Sequence, residues 1–327
     1  MINLKKFLKE NKIYLITMFL IVIIFNIKLP YYINAPGGTI DISNRIEYKE
    51  KNKPNGSINM LYVTEYIATI PTYLLSYVLN NWDIESIEES RISNETTEEI
   101  NIRNKIMLNN SINNAKYVAY KAANKDIDIL TKKHQVIATL TNTNLKIGDE
   151  ILEVNKRTIE NLNDIKNIIS NSKLNEELEF KIIRNKKEKT IKEKIKKIKE
   201  EKALGVILIT DYKYKTNPQI ELKFKPSESG SSGGLMMALS IYSAISNEDI
   251  LKGRNIAGTG TIDIDGNVGE IAGIKYKIMG AAKNNIDIVL VPSANYKEAL
   301  KTKKENNYKL EIVSVKTFEE AINYLKD

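Results

Sequence analysis

Two short stretches of this chain hold residue types that could do chemistry together. The first is Pro226-Ser227-Glu228-Ser229-Gly230-Ser231-Ser232-Gly233-Gly234, which runs directly into the apolar segment Leu235 to Ile245. A serine on a glycine turn at a helix N-terminus meets two needs of a nucleophile. Glycines let backbone and substrate approach closely. Unpaired N–H groups at the positive end of a helix can stabilise a developing oxyanion. Ser227, Ser229, Ser231 and Ser232 all qualify on this ground. The second stretch is Gly258-Thr259-Gly260-Thr261-Ile262-Asp263-Ile264, followed by the hairpin signal Asp265-Gly266. Asn267 to Ile271 returns as the partner strand, and Ala272-Gly273 opens a helix with Ile274, Ile278, Ala281 and Ala282 on its apolar stripe. Lys275 and Lys277 flank that stripe. Desolvation and the helix dipole both pull such a lysine toward the neutral amine, and a neutral amine is a general base.

Composition makes an amine the base to expect. The chain has no cysteine and one histidine, His134. Disulfides, thiol nucleophiles and thiolate or His-rich metal sites are therefore excluded. With 327 residues and 42% hydrophobic content, the chain is long enough for two or three folded units. The net charge of +8 arises from 49 basic and 41 acidic residues. It is spread along a chain rich in lysine, asparagine and isoleucine, without the focused footprint of a nucleic-acid binder. No nucleic-acid partner is expected.

Around the two stretches, Gly205 to Ile209 and Ile220 to Phe224 read as strands. Upstream, Met60-Leu61-Tyr62-Val63 reads as a strand, Pro71 as the first residue of a helix, and Thr97 to Asn124 as a long helix that serves as scaffold. Leu162, Ile165 and Ile169 share one face of a short helix. Arg184 to Lys202 alternates in sign and reads as a solvated edge or connector. At the N-terminus an apolar run from Ile13 to Phe25 is followed by Asn26, Lys28 and Leu29-Pro30-Tyr31-Tyr32. With Lys12 and Lys28 snorkelling and Tyr31 and Tyr32 at an interface, 12–32 is expected to form an uncleaved membrane anchor. Lys5, Lys6, Lys9 and Lys12 then place the N-terminus in the cytoplasm and the bulk of the chain outside it.

Two resemblances emerge from these residues. Leu145-x-x-Gly148-Asp149-x-Ile151-x-x-Val154-Asn155 is similar to the second half of a PDZ domain, a fold that binds peptide ends by strand addition. No glycine-rich carboxylate-binding loop precedes Val136. The C-terminal blocks resemble the proteolytic domain of Lon-type Ser–Lys proteases, and more closely that of membrane-anchored, PDZ-containing Lon-like proteases. Gly230-Ser231-Ser232-Gly233-Gly234 stands where that family has Gly-Pro-Ser-Ala-Gly. Ile256 to Ile262 and Gly266-x-Val268-Gly269-x-Ile271-x-Gly273-Ile274 match its downstream block. The resemblance assigns the nucleophile to Ser232, the base to Lys277 with Lys275 as runner-up, and the lysine-orienting hydroxyl to Thr259. It also implies self-association, of unspecified stoichiometry. The chain lacks the Gly-x-x-x-x-Gly-Lys-[Ser/Thr] loop of ATP-driven relatives.

The expected fold class is α+β. It comprises a cytoplasmic tail (1–11), a transmembrane anchor (12–32), a mixed α/β domain (33–125), a PDZ-like domain (126–201) and a Lon-type protease domain (202–327). The expected function is ATP-independent, membrane-anchored cleavage of extracytoplasmic peptides or flexible protein segments, with no metal or cofactor. Ser231 and Gly233 replace the family's proline and alanine, which loosens the turn. The alternative is thus an inactive relative acting as a membrane-tethered peptide-binding scaffold.

Overall fold

A computed structural model describes residues 4–48, 55–93, 95–246, 248–284 and 286–327. Its centre is one mixed sheet of six strands in the order Glu311–Val315, Ile288–Pro292, Asn255–Gly258, Ser57–Thr69, Lys28–Asp41 and Asp83–Ser86. The first four are mutually parallel, and the last two join antiparallel. Strands from before and after the PDZ-like region therefore share one sheet.

Side-chain alternation along Ile288–Pro292 explains the layers. The strand is buried throughout, as a parallel strand covered on both faces must be. Ile288 and Leu290 enter a core built with the helices Gly234–Ile245, Thr97–Ala122 and Phe318–Lys326. Val289 and Val291 enter a second core with the helices Ile274–Ala282 and Tyr296–Glu305. Gly234–Ile245 is almost wholly buried, which is why its sequence is apolar on every side. The long helix opens with a capping box between Thr96 and Glu99.

The PDZ-like unit has its own core, with Val136, Ile151, Ile165, Leu178, Phe180 and Ile182 fully enclosed. Its main sheet runs Val206–Asn217, Asp126–Thr139, Glu150–Val154, Glu177–Arg184, Lys187–Lys194. The sign-alternating stretch begins as the edge strand Lys187–Lys194. Buried Asp149, from the Gly-Asp of the PDZ string, accepts two hydrogen bonds from Arg184 at 2.7 and 2.6 Å. A single glycine turn lies downstream of the string. Gly205 has φ +75, and a Cβ there would fall 2.1 Å from Thr141 Oγ1. It leads into Val206–Asn217, the strand at the opposite edge of the sheet.

The expected membrane anchor is overturned. Among the described residues, no helix is long and apolar enough to cross a membrane. The apolar run forms a helix of 15 residues, Lys12–Asn26, spanning roughly 22 Å against a hydrocarbon core of about 30 Å. The chain then turns at Ile27, and Lys28 starts a strand. Tyr31 and Tyr32, expected at the outer interface, pair instead with Ser86 and Glu85. The transmembrane part of the fold class and the single-pass membrane location fail with the helix. Of the tail expected over 1–11, residues 1–3 lie outside the described residues, and the positive-inside argument has no spanning helix to orient.

Phe180 lies wholly inside the PDZ-like core. Phe180→Ala should destabilise that unit by about 3–5 kcal/mol, read by urea denaturation. A loss under about 1 kcal/mol would contradict this packing.

Candidate functional site

The short strand Asn255–Gly258 creates the site by stopping early. Its last pair with the neighbouring strand is Gly258 with Met60. Thr259 then turns away and donates its N–H to the Leu290 carbonyl at 3.1 Å. Beyond Met60, the strand Ser57–Thr69 has no partner on this side among the described residues. Helices from the two faces of the sheet can reach one another past that break. Ligand sites in parallel sheets gather at such carboxyl ends of strands.

From one face comes the serine loop. Gly230 has φ +88, a value glycine adopts without strain, and its N–H donates to the Asn104 carbonyl at 3.2 Å. Ser111 Oγ donates to the Ser231 carbonyl at 3.1 Å. The Ser232 carbonyl accepts twice, from Gly260 N–H at 2.7 Å and from Thr259 Oγ1 at 2.9 Å. Leu235 N–H returns to the Gly260 carbonyl at 3.0 Å. The loop is therefore clamped between the long helix and the Thr259-Gly260 turn. The N–H groups of Ser232 and Gly233 make no backbone hydrogen bond among the described residues.

From the other face comes Lys277. Gly273 starts its helix at φ +69, and a Cβ there would crowd Val63 at 2.9 Å. One turn later Lys277 is 3% exposed. Its Nζ lies 2.8 Å from Ser232 Oγ and 2.8 Å from Thr259 Oγ1. Among the described residues these hydroxyls are its hydrogen-bond partners, and no carboxylate pairs with it. Burial alone pulls its pKa down to about 7. The structure thus brings Ser232, Lys277 and Thr259 together. Lys275 points elsewhere, 2.8 Å from Asp83, where it is partly exposed. His134 is buried in the PDZ-like unit with Nδ1 3.0 Å from Thr210 Oγ1.

These groups sit in a cleft of about 720 Å³, within the usual range for ligand pockets. One wall is the unpaired strand edge at Leu61, Tyr62 and Val63, and another is Ile271-Ala272-Gly273. Glu65 and Glu85 lie along it. Burial and the neighbouring Glu85 push Glu65 above the usual carboxylate range. An unpaired edge beside a nucleophile can hold an extended peptide through main-chain hydrogen bonds.

Reading the sequence missed the groups that hold the loop. Asn104 and Ser111 belong to a helix taken as scaffold, and nothing in its periodicity marks them. Met60 was read only as strand, yet its Sδ fills the space where a Cβ at residue 233 would sit, 1.9 Å away.

Residues 225–326 match the Lon protease (S16) C-terminal proteolytic domain family, and residues 135–195 match the PDZ domain family. Lon protease of Mesomycoplasma hyopneumoniae is 35% identical over 96 residues, covering 29% of this chain and 11% of that protein. Lon protease 2 of Borreliella burgdorferi is 29% identical over 137 residues, covering 39% of this chain and 17% of that protein. Archaeal Lon protease of Methanocaldococcus jannaschii is 32% identical over 114 residues, covering 34% and 16%. The chain thus spans less than a fifth of the length of these relatives. Among solved structures, the PDZ domain of an SdrC-like protein from Listeria monocytogenes aligns at 16% identity and a TM-score of 0.24. That alignment covers 25% of this chain and 93% of the other. This chain carries a Lon-type proteolytic domain and a PDZ domain, and the Lon matches support a serine peptidase.

Proposed function

We propose that this chain is a serine endopeptidase that cuts peptides or flexible protein segments with Ser232 and Lys277. The observation that carries the reading is one buried amine within 2.8 Å of both a serine and a threonine hydroxyl, with its pKa lowered to about 7. Near neutral pH a large share of Lys277 is the free amine, whose lone pair accepts the Ser232 proton as Oγ attacks the scissile carbonyl. Thr259 Oγ1 donates to the Ser232 carbonyl and accepts from Lys277. It therefore fixes the amine relative to the loop. The N–H groups of Ser232 and Gly233 are the candidate donors to the tetrahedral oxyanion. Lys277, now a buried ammonium, returns its proton to the leaving amine as the C–N bond breaks. Water then hydrolyses the acyl-enzyme by the same relay.

An inactive scaffold was the alternative suggested by Ser231 and Gly233. The surroundings supply the rigidity these residues lack. Four hydrogen bonds clamp the loop from Asn104, Ser111, Thr259 and Gly260, and Met60 occupies the methyl space at Gly233. The PDZ-like unit fits a role in presenting substrate, since Val206–Asn217 is an edge strand behind a glycine turn.

In a peptide mixture read by mass spectrometry, Ser232→Ala and Lys277→Ala should each abolish cleavage, and Lys275→Ala should stay within about threefold of wild type. Cleavage surviving in Ser232→Ala would sink the assignment. Because the active form is the neutral amine, kcat/KM should rise about tenfold per pH unit below 7 and level off above it; a rate falling through that window would exclude Lys277 as base. Gly233→Ala should cost about 1–3 kcal/mol by overpacking Met60. Combined with Met60→Ala, that cost should shrink by at least about 0.5 kcal/mol; strict additivity in thermal or urea unfolding would show that the two side chains do not share the space.

A further inference from the structure

A second, smaller cavity of about 280 Å³ adjoins the cleft. Met107, Ser231 and Thr261 line both, so the two spaces share a wall at the residue next to Ser232. The rest of its wall comes from three places: the long helix, the Thr261–Gly269 hairpin, and the PDZ-like unit through Ile137 and Ile209. Its volume falls below the usual range for a separate small-molecule site, so it is sized as an annex to the cleft.

The asparagines, Ser111 and Asp263 of this wall already have partners. Asn110 Nδ2 donates to the Thr210 carbonyl at 2.9 Å, Ser111 Oγ to the Ser231 carbonyl at 3.1 Å, and Asn114 Nδ2 to the Ile262 carbonyl at 3.1 Å. Asp263 accepts from Asn267 N–H at 2.9 Å and from Asn267 Nδ2 at 2.8 Å. Beside the hydroxyls of Ser231 and Thr261, what remains to meet an occupant is apolar: Met107, Ile137, Ile209 and Ile262. The position of Ile137 is built in by the backbone. Ile207 pairs with Ala138 and Leu208 with Val136, so Ile137 is the extra residue of a β-bulge. Bulges re-aim side chains and are common beside active sites.

We propose that this cavity is a specificity subsite that receives one apolar side chain of the substrate next to the scissile bond, with the PDZ-like unit supplying part of its wall. The inference rests on the peptidase reading above. It makes the PDZ-like unit part of the cutting site, with Ile137 and Ile209 as specificity-determining residues. Pockets of this kind discriminate by size, at about 10–200-fold per methylene.

The test uses the full chain and a peptide library, with cleavage sites sequenced by mass spectrometry. Wild type should prefer a large apolar residue at one position flanking the cut. Ile209→Trp, which fills the cavity, should lower cleavage of those peptides by about 10-fold or more while peptides with alanine at that position are cut as before. Ile137→Ala, which enlarges it, should shift the preference at the same position toward bulkier residues and leave the pH profile unchanged. The second variant covers the case in which the tryptophan disturbs folding. Ser232-dependent cleavage with the same profile in wild type and both variants overturns the subsite and spares the peptidase reading. If wild type cuts nothing that Ser232→Ala leaves intact, the peptidase reading falls and takes the subsite with it.

Discussion

A buried lysine amine whose hydrogen-bond partners among the described residues are two hydroxyls is the constraint around which this molecule is arranged. Removing a cation from water without a counter-charge is costly, and a buried lysine meets that cost by giving up its proton. Lys277 can be held in this state only if its surroundings are dry, apolar and closely fitted. The packed helix Ile274–Ala282 and the all-buried strand Ile288–Pro292 provide that enclosure. Thr259 answers the amine's remaining hydrogen-bonding need without adding charge. A carboxylate in the same place would stabilise the ammonium and defeat the purpose.

The sheet resolves a geometric difficulty. Ser232 lies on a loop that belongs to one face of the sheet and Lys277 on a helix packed against the other. An unbroken sheet would keep them apart. The early stop of Asn255–Gly258 opens a window at the edge of which Thr259 stands, bonded to both sides. The same stop bares the edge of Ser57–Thr69, so one local event creates both the meeting point of the side chains and a surface for an extended chain. The long helix contributes from further off. Its neighbouring residues Asn110 and Ser111 hold, respectively, the PDZ strand and the serine loop.

Local chemistry was legible in the sequence, and long-range pairing was not. The Asp265-Gly266 hairpin is present with Thr261–Ile262 against Val268–Gly269. Pro71 sits in the first turn of its helix, and Thr97 begins the long helix as read. Spacing alone left Lys275 and Lys277 open, because both flank the same stripe; the choice depends on which faces a loop more than forty residues away in sequence. The N-terminal reading went astray for a related reason. Hydropathy sees Leu29, Tyr31 and Tyr32 as continuing an apolar run, whereas Lys28 already opens a strand and the ladder to Asp83–Ser86 claims Tyr31 and Tyr32 for a sheet. A left-handed glycine turn stands at Gly205, after the PDZ string, because the edge strand Val206–Asn217 comes last in chain order. Met60 and Gly233 are far apart in the sequence, and only contact reveals that they share one volume.

The shared sheet also sets the order in which the molecule can come into being. Ser57–Thr69 leaves the ribosome early, but the parallel strand that flanks it at Asn255–Gly258 is made about two hundred residues later, after the whole PDZ-like unit. Lys277 follows later still. A growing chain can therefore fold its PDZ-like unit before Ser232 and Lys277 can meet, and the two side chains come together only when the last parallel strands dock. Pairings of such long sequence separation are slow to form. The consequence is that the contact between Ser232 and Lys277 is among the last to form as the chain is made.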